Sequence, residues 1–175
     1  MTSTTTETPA RFASTARLSV PRAVVWFVIA YVAVTILGAA LSFAIGAVIH
    51  NPDTADLTLN RAYIMAERFY PLINLVVWTV CARFYFRPRS RGGTETARVA
   101  PDRRLALRLS TFWICLALPV DFVGFVVIKN PLSLTPDQFY VGQFPWIYLI
   151  YLAVFAGPLC AVAVRRGGNP TGRQR

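Results

Sequence analysis

Asp121 lies inside a long apolar run, two positions after Pro119. On insertion scales an acid near the middle of a membrane span costs about 2.5–3.5 kcal/mol, so it is expected to face protein or water and to have a partner. Pro119 loosens the helix there and frees a backbone carbonyl. Such a carboxyl suits proton or cation binding, because leaving water favours the neutral form of an acid. Its plainer role is structural, as a protonated Asp that hydrogen-bonds across helices.

Depth along the runs sorts its expected neighbours. Asn74 falls about a turn inside the second run, which enters from the side that Asp121 approaches, so the two are expected to meet across a helix pair. Arg68 sits higher and is long enough to reach down, while Glu67 and His50 mark the outer boundary. Together His50, Glu67, Arg68, Asn74 and Asp121 outline a candidate intramembrane polar site open to the outside. Each has an ordinary alternative: a solvated interfacial His, a headgroup-level Glu–Arg pair, and an interhelical amide bond worth ~0.6–2 kcal/mol.

Other chemistry finds little footing. Cys81, Cys115 and Cys160 are odd in number and lie in three different runs, each near the end expected to be reducing, so neither a disulfide nor a metal cluster is expected. The sequence carries no paired metal-ligand spacing, nucleophile elbow or phosphate loop. We expect no cofactor, no metal and no catalytic set.

The elements that must hold these residues are four apolar runs: Ala23–Ile49, Phe69–Phe86, Leu109–Ile128 and Phe144–Val164. A helix rises about 1.5 Å per residue, so about 20 apolar residues cross a ~30 Å hydrocarbon core. The second run is shorter because Arg83 interrupts it. With 175 residues, 55% of them hydrophobic, and a mean hydropathy of +0.47, the four runs and their connections leave no room for a soluble domain. The expected fold is all-α, a polytopic membrane protein with a bundle of four transmembrane helices over residues 21–166. Residues 1–20, rich in Ser and Thr, and 167–175 read as cytoplasmic tails, the first disordered. The first run continues well beyond a signal-peptide core of about 7–15 residues and reads as an uncleaved anchor.

A net charge of +10 would point to nucleic acid in a soluble chain, but its distribution points to a membrane. The first tail, the central connection from Arg83 to Arg108 and the last tail hold most of the arginines. The other two connections hold only Arg61, Arg68 and Lys129, beside Asp53, Asp56, Glu67 and Asp137. Lys and Arg resist translocation, so the basic side is cytoplasmic and both termini are inside. All basic residues but Lys129 are Arg, a bias expected of a GC-rich bacterial genome, so a bacterial cytoplasmic membrane is the expected location. The Arg-rich loop is expected to touch anionic lipid, at about 1 kcal/mol per residue near the surface. No nucleic-acid partner is expected.

Small residues recur every fourth position in two runs: Gly38, Ser42 and Gly46 in the first, Ala153, Gly157 and Ala161 in the last. That spacing lets helix backbones approach, within the chain, in a homo-oligomer or against another membrane protein. Asn60–Arg68 mixes apolar and charged residues and reads as an interfacial helix, with Pro71 at the bend into the membrane. Thr135-Pro136-Asp137-Gln138 has the form of a capping box. Trp26, Trp78, Trp113 and Trp146 are expected mostly at interfacial belts or lipid-facing surfaces; a groove for an isoprenoid or quinone is the sharper alternative. The functional expectation is a non-enzymatic accessory, interaction or immunity/exclusion factor. A small proton- or ion-linked transporter centred on Asp121, or an intramembrane lipid-modifying enzyme using Asp121 and Glu67, are its rivals.

Overall fold

The computed structural model describes residues 17–49, 60–87, 102–128 and 133–167. All regular structure among them is helical: α1 (Val20–Ile49), α2 (Arg61–Glu67), α3 (Tyr70–Tyr85), α4 (Arg103–Asp121), π-helical stretches at Phe122–Val127 and Gln138–Gly142, and α5 (Trp146–Gly167). Three helical segments are long and apolar enough to cross a membrane: Val20–Ile49, Arg103–Val127 and Trp146–Arg165. A fourth crossing results if α2 and α3, bent by 49° at their junction, count as one span. The chain is a membrane protein by the length and apolarity of these helices.

Local signals account for the element ends. Asn60 caps α2, its side-chain oxygen accepting from the Tyr63 N–H at 3.1 Å, and Pro71 opens α3, where its missing N–H is harmless. Thr135 and Gln138 form the reciprocal capping box, with backbone-to-side-chain bonds of 2.9 and 3.3 Å. α4 starts at Arg103, a full turn and a half before the apolar run, because Arg, Leu and Ala are all good helix formers. Its other end does not stay α-helical. After Pro119 and Asp121 it widens into the π-helix, whose bond from Ile128 N–H to Val123 O is 2.9 Å.

Contacts fix the relative directions. Trp113 donates to Ala23 O and Tyr31 donates to Asp121, both across 90 residues, so α1 and α4 run parallel. Gly157 lies against Trp78, and Arg165 donates to Phe86 O at the same offset of 79 residues, so α3 and α5 run parallel. Ser19 meets Tyr85 while Ser42 meets Tyr70, so α1 and α3 are antiparallel. The start of α1 and the ends of α3 and α5 therefore share one end of the molecule.

That end is closed. Arg22 donates to Phe84 O at 2.8 Å and to Arg87 O at 2.9 Å, and Arg165 donates to Phe86 O at 3.3 Å. These guanidinium groups bind carbonyls at the C-terminus of α3, the negative end of its dipole; Phe84 O also accepts from the Arg87 N–H at 3.2 Å. Trp26 stacks on Phe84 with centroids 5.2 Å apart, and Arg87 covers the same ring at 4.2 Å. Next comes the core, where Trp78 and Trp113 meet at 5.1 Å and Phe27 closes on Trp78 at 5.4 Å. Both Trp rings are fully buried, not set in belts or toward lipid as expected, because each indole N–H has an internal acceptor, Asn74 Oδ1 for Trp78 and Ala23 O for Trp113. Outside this core α1 is largely bare: Val25, Val28, Val32 and Ile36 are all about half exposed or more, as a lipid-facing surface requires.

Candidate functional site

Beyond the tryptophan layer the helices part around a cavity of about 800 Å³. It runs along α1 from Tyr31 to Ala47, about 24 Å at 1.5 Å per residue. One wall is the small-residue stripe of α1 with Tyr63 and Tyr70. The opposite wall is Ala117, Asp121 and Phe125 of the α4 segment with Ile147, Ile150 and Val154 of α5. Thr35, Ala39, Phe43 and Ala47 line the cavity and are themselves exposed, so it opens along that flank of α1 as a cleft.

Asp121 is at its inner end, nine-tenths buried. Its Oδ1 accepts from the Tyr31 hydroxyl at 2.7 Å. The Tyr151 hydroxyl of α5 lies within electrostatic reach of the same carboxyl, yet is buried without a hydrogen-bond partner in good geometry. Three helices thus converge on one acid: α1 through Tyr31, α4 through Asp121 itself, α5 through Tyr151. Pro119 and the switch to π-helix follow the sequence expectation of loosened backbone beside this residue; π-helical turns occur often at functional sites.

Asn74 is not the partner expected for Asp121. It lines the same cleft, but its amide donates to Tyr70 O at 2.9 Å and its oxygen accepts from Trp78 Nε1 at 3.0 Å. Both partners lie on its own helix four residues away, the spacing at which helical side chains meet, so the amide is satisfied without crossing to α4. Glu67 is buried and does not line the cleft, but lies within electrostatic reach of the Tyr63 and Tyr70 hydroxyls, which do. Arg68 is exposed at the α2–α3 bend and does not line the cleft. His50 lies outside the described residues, as do Arg89, Arg91 and Arg98 of the central connection and nearly all of both tails.

The two small-residue stripes have different surroundings. A Cβ built on Gly157 would fall 2.7 Å from Trp78 Cβ and 2.9 Å from its carbonyl carbon, so α5 meets the α3 backbone there and nothing larger than Gly fits. Ala153 and Ala161, a turn to either side, are buried. On α1, Gly38 faces the Tyr70 ring at 3.5 Å and Gly46 faces Ala62 Cβ at 3.5 Å, ordinary side-chain contacts, while Ser42 shares a 2.7 Å hydrogen bond with the Tyr70 hydroxyl. This stripe makes room for a ring and for the cleft, and does not bring two backbones together. Of the cysteines, Cys81 is buried, Cys160 half-buried and Cys115 exposed; no cluster of metal-ligating side chains occurs among the described residues.

The sequence reading missed Tyr31, Tyr63, Tyr70, Tyr151 and Gln143. Gln143 donates to the Tyr63 hydroxyl at 2.8 Å and closes the outer end of the cleft. A signal existed for two of them. Tyr31 and Tyr151 place a hydroxyl inside an apolar run, at a depth where it needs an acceptor.

Comparison with protein-family models, with curated proteins and with solved structures finds no match to this chain.

Proposed function

We propose that this is a polytopic protein of a bacterial cytoplasmic membrane, a bundle of four crossings made by α1, the bent α2–α3 pair, α4 with its π-helical extension, and α5. Both termini and the Arg-rich central connection are cytoplasmic, next to anionic lipid. The positive-inside asymmetry supports this orientation, and so does the Arg-capped end at which the start of α1 meets the ends of α3 and α5. Reporter fusions at Gly93 and Arg175 read cytoplasmic and those at Asp56 and Ser133 read external; an external signal at Gly93 overturns the orientation.

Within the membrane the protein works by non-enzymatic binding, as an accessory or exclusion factor that holds a membrane-embedded molecule in its cleft. The observation that carries this reading is the cleft itself: about 800 Å³, mostly apolar, open on one flank, with a few convergent polar groups at its inner end. Those are the general attributes of a ligand site. The test is purification in a mild detergent, wild type beside Ala39→Trp, which fills the mouth from an exposed position. A molecule retained by the wild type and lost from Ala39→Trp supports the reading. Cargo that survives the filled cleft overturns it.

A second reading, proton- or ion-linked transport centred on Asp121, is favoured by one feature, the change to π-helix immediately after that residue. It requires dye flux in proteoliposomes that Asp121→Asn abolishes without unfolding the chain.

A further inference from the structure

The chain carries a net charge of +10, yet none of the described residues that line the cleft carries positive charge. No Lys, Arg or His occurs among its described lining residues, and its one ionisable acid is Asp121. Glu67 is a second buried carboxyl, within electrostatic reach of Tyr63 and Tyr70, which line the cleft. Among the described residues Arg61 and Arg68 stand at this end beside Glu67 and Asp137, whereas Arg17, Arg22, Arg83, Arg87, Arg103, Arg104, Arg108 and Arg165 stand at the other. The described lining thus offers a carboxyl and no cation, in a strongly basic protein.

The cleft walls suit a cation as well. Tyr31, Tyr63, Tyr70, Phe125 and Phe139 line the space, and aromatic faces attract cations that have shed their water. The remaining surface is aliphatic, from side chains such as Val34, Ile73 and Ile150. At the inner end the Tyr31 hydroxyl occupies one oxygen of Asp121, and the buried Tyr151 hydroxyl interacts electrostatically with the same carboxyl.

We propose that the ligand of this cleft is a lipophilic cation: an apolar body about as long as the slot, carrying an ammonium-type charge that comes to rest at Asp121. The assignment rests on the binding reading above and names its chemical class. An anion of equal size finds no positive side chain among the described lining residues, whereas a cation that comes to rest beside Asp121 favours the ionised form of its carboxyl and pairs with it. A neutral hydrocarbon fills the same volume but makes no use of the carboxyl. A cation answers the acid and the aromatic faces at once.

The experiment uses tetraphenylphosphonium and tetraphenylborate, two probes of nearly the same shape and opposite charge. Binding is measured by equilibrium dialysis on the full chain in a neutral maltoside detergent, with protein-free micelles as the blank. The cation is expected to bind the unmodified protein about tenfold or more tightly than the anion, the equivalent of one desolvated cation–aromatic contact or ion pair. Ala39→Trp is expected to abolish that binding, and Asp121→Asn to weaken it by a similar factor with an unchanged thermal melt. Equal binding of both probes, lost in Ala39→Trp, overturns the cation class and leaves the cleft-binding reading standing. Cation binding that persists in Ala39→Trp, or no cation binding at all, overturns the proposal. The comparison of the two probes on the unmodified chain decides the sign even if Asp121→Asn fails to fold.

Discussion

Around Trp113 the helices close on one another; around Asp121, about two turns further along the same helix, they stand apart. At the closed end large rings and small residues alternate across the contacts. Ala106, Leu109, Trp113 and Ala161 are fully buried, and every indole N–H of the core has an acceptor. The carbonyls at the end of α3 are taken by arginines from the two neighbouring helices. At the open end α1 rests on side chains of α2 and α3 and leaves α4 after Tyr31, while α4 itself changes helical type. In lipid, apolar burial gives helices little reason to associate, so the difference lies in backbone approach and polar satisfaction. One end uses both to the full. The other leaves a cavity, and a buried Tyr151 hydroxyl with no hydrogen bond in good geometry.

The sharpest way to break the closed end is Gly157→Ala. The added methyl would overlap Trp78 Cβ and backbone atoms of α3, which belong to no flexible side chain and must move with the helix. Overpacking of this kind costs about 1–3 kcal/mol, and a lowered thermal melt in detergent measures it. A melt equal to wild type would mean that α3 and α5 do not approach this closely in the membrane.

At the open end the largest effect belongs to Asp121→Leu. It removes the acceptor of the Tyr31 hydroxyl and leaves that group half-buried with nothing to bond. The expected loss is about 1–2 kcal/mol. Asp121→Asn keeps an acceptor oxygen in the same place and is expected to melt within about 0.5 kcal/mol of wild type. If Asn is as damaging as Leu, the carboxyl has a structural duty that its bond to Tyr31 does not describe.

Arg22→Ala is expected to cost about 1 kcal/mol, because Phe84 O and Arg87 O lose a donor at a helix end where water still has access. Arg22→Lys retains the charge but lacks the planar fork that spans two carbonyls, so it should recover only part of the loss. Full recovery by Lys would assign the effect to the helix dipole alone.

Much of this arrangement is legible in the chain, and the illegible part has a common cause. Run length and composition reach the helices apolar enough to cross a membrane, a short helix α2 falls within the mixed stretch 60–68, and the capping box at Thr135–Gln138 appears where its residues predict it. The burial of Asp121 follows from its position in an apolar run. What periodicity does not carry is the identity of the neighbour. Asn74 and Asp121 sit at compatible depths, but an amide with partners four residues away on either side of its own helix has no need of α4. Tyr31 meets Asp121 because α1 and α4 share a register already set by Trp113 and Ala23, a fact of tertiary packing. The stripes on α1 and α5 likewise share a spacing, and only the facing helix decides whether it serves contact or space.

That distinction yields the smallest expected effect and the most direct comparison. Gly38→Ala on α1 places a methyl 3.5 Å from the Tyr70 ring, an ordinary contact that displaces nothing. In a helix interior Ala is favoured over Gly by about 1 kcal/mol, since Gly has more backbone freedom to lose on folding. Gly38→Ala is therefore expected to leave the melt unchanged or raise it slightly, opposite in sign to Gly157→Ala. Gly46→Ala, which meets only Ala62 Cβ at 3.5 Å, should behave the same way. A longer side chain changes the outcome: Gly38→Leu reaches past contact distance into the Tyr70 ring and the cleft, and should disturb ligand retention more than stability. Should Gly38→Ala prove as damaging as Gly157→Ala, α1 would have to lie against a backbone at its open half, and the cleft would be a narrower space than its lining describes.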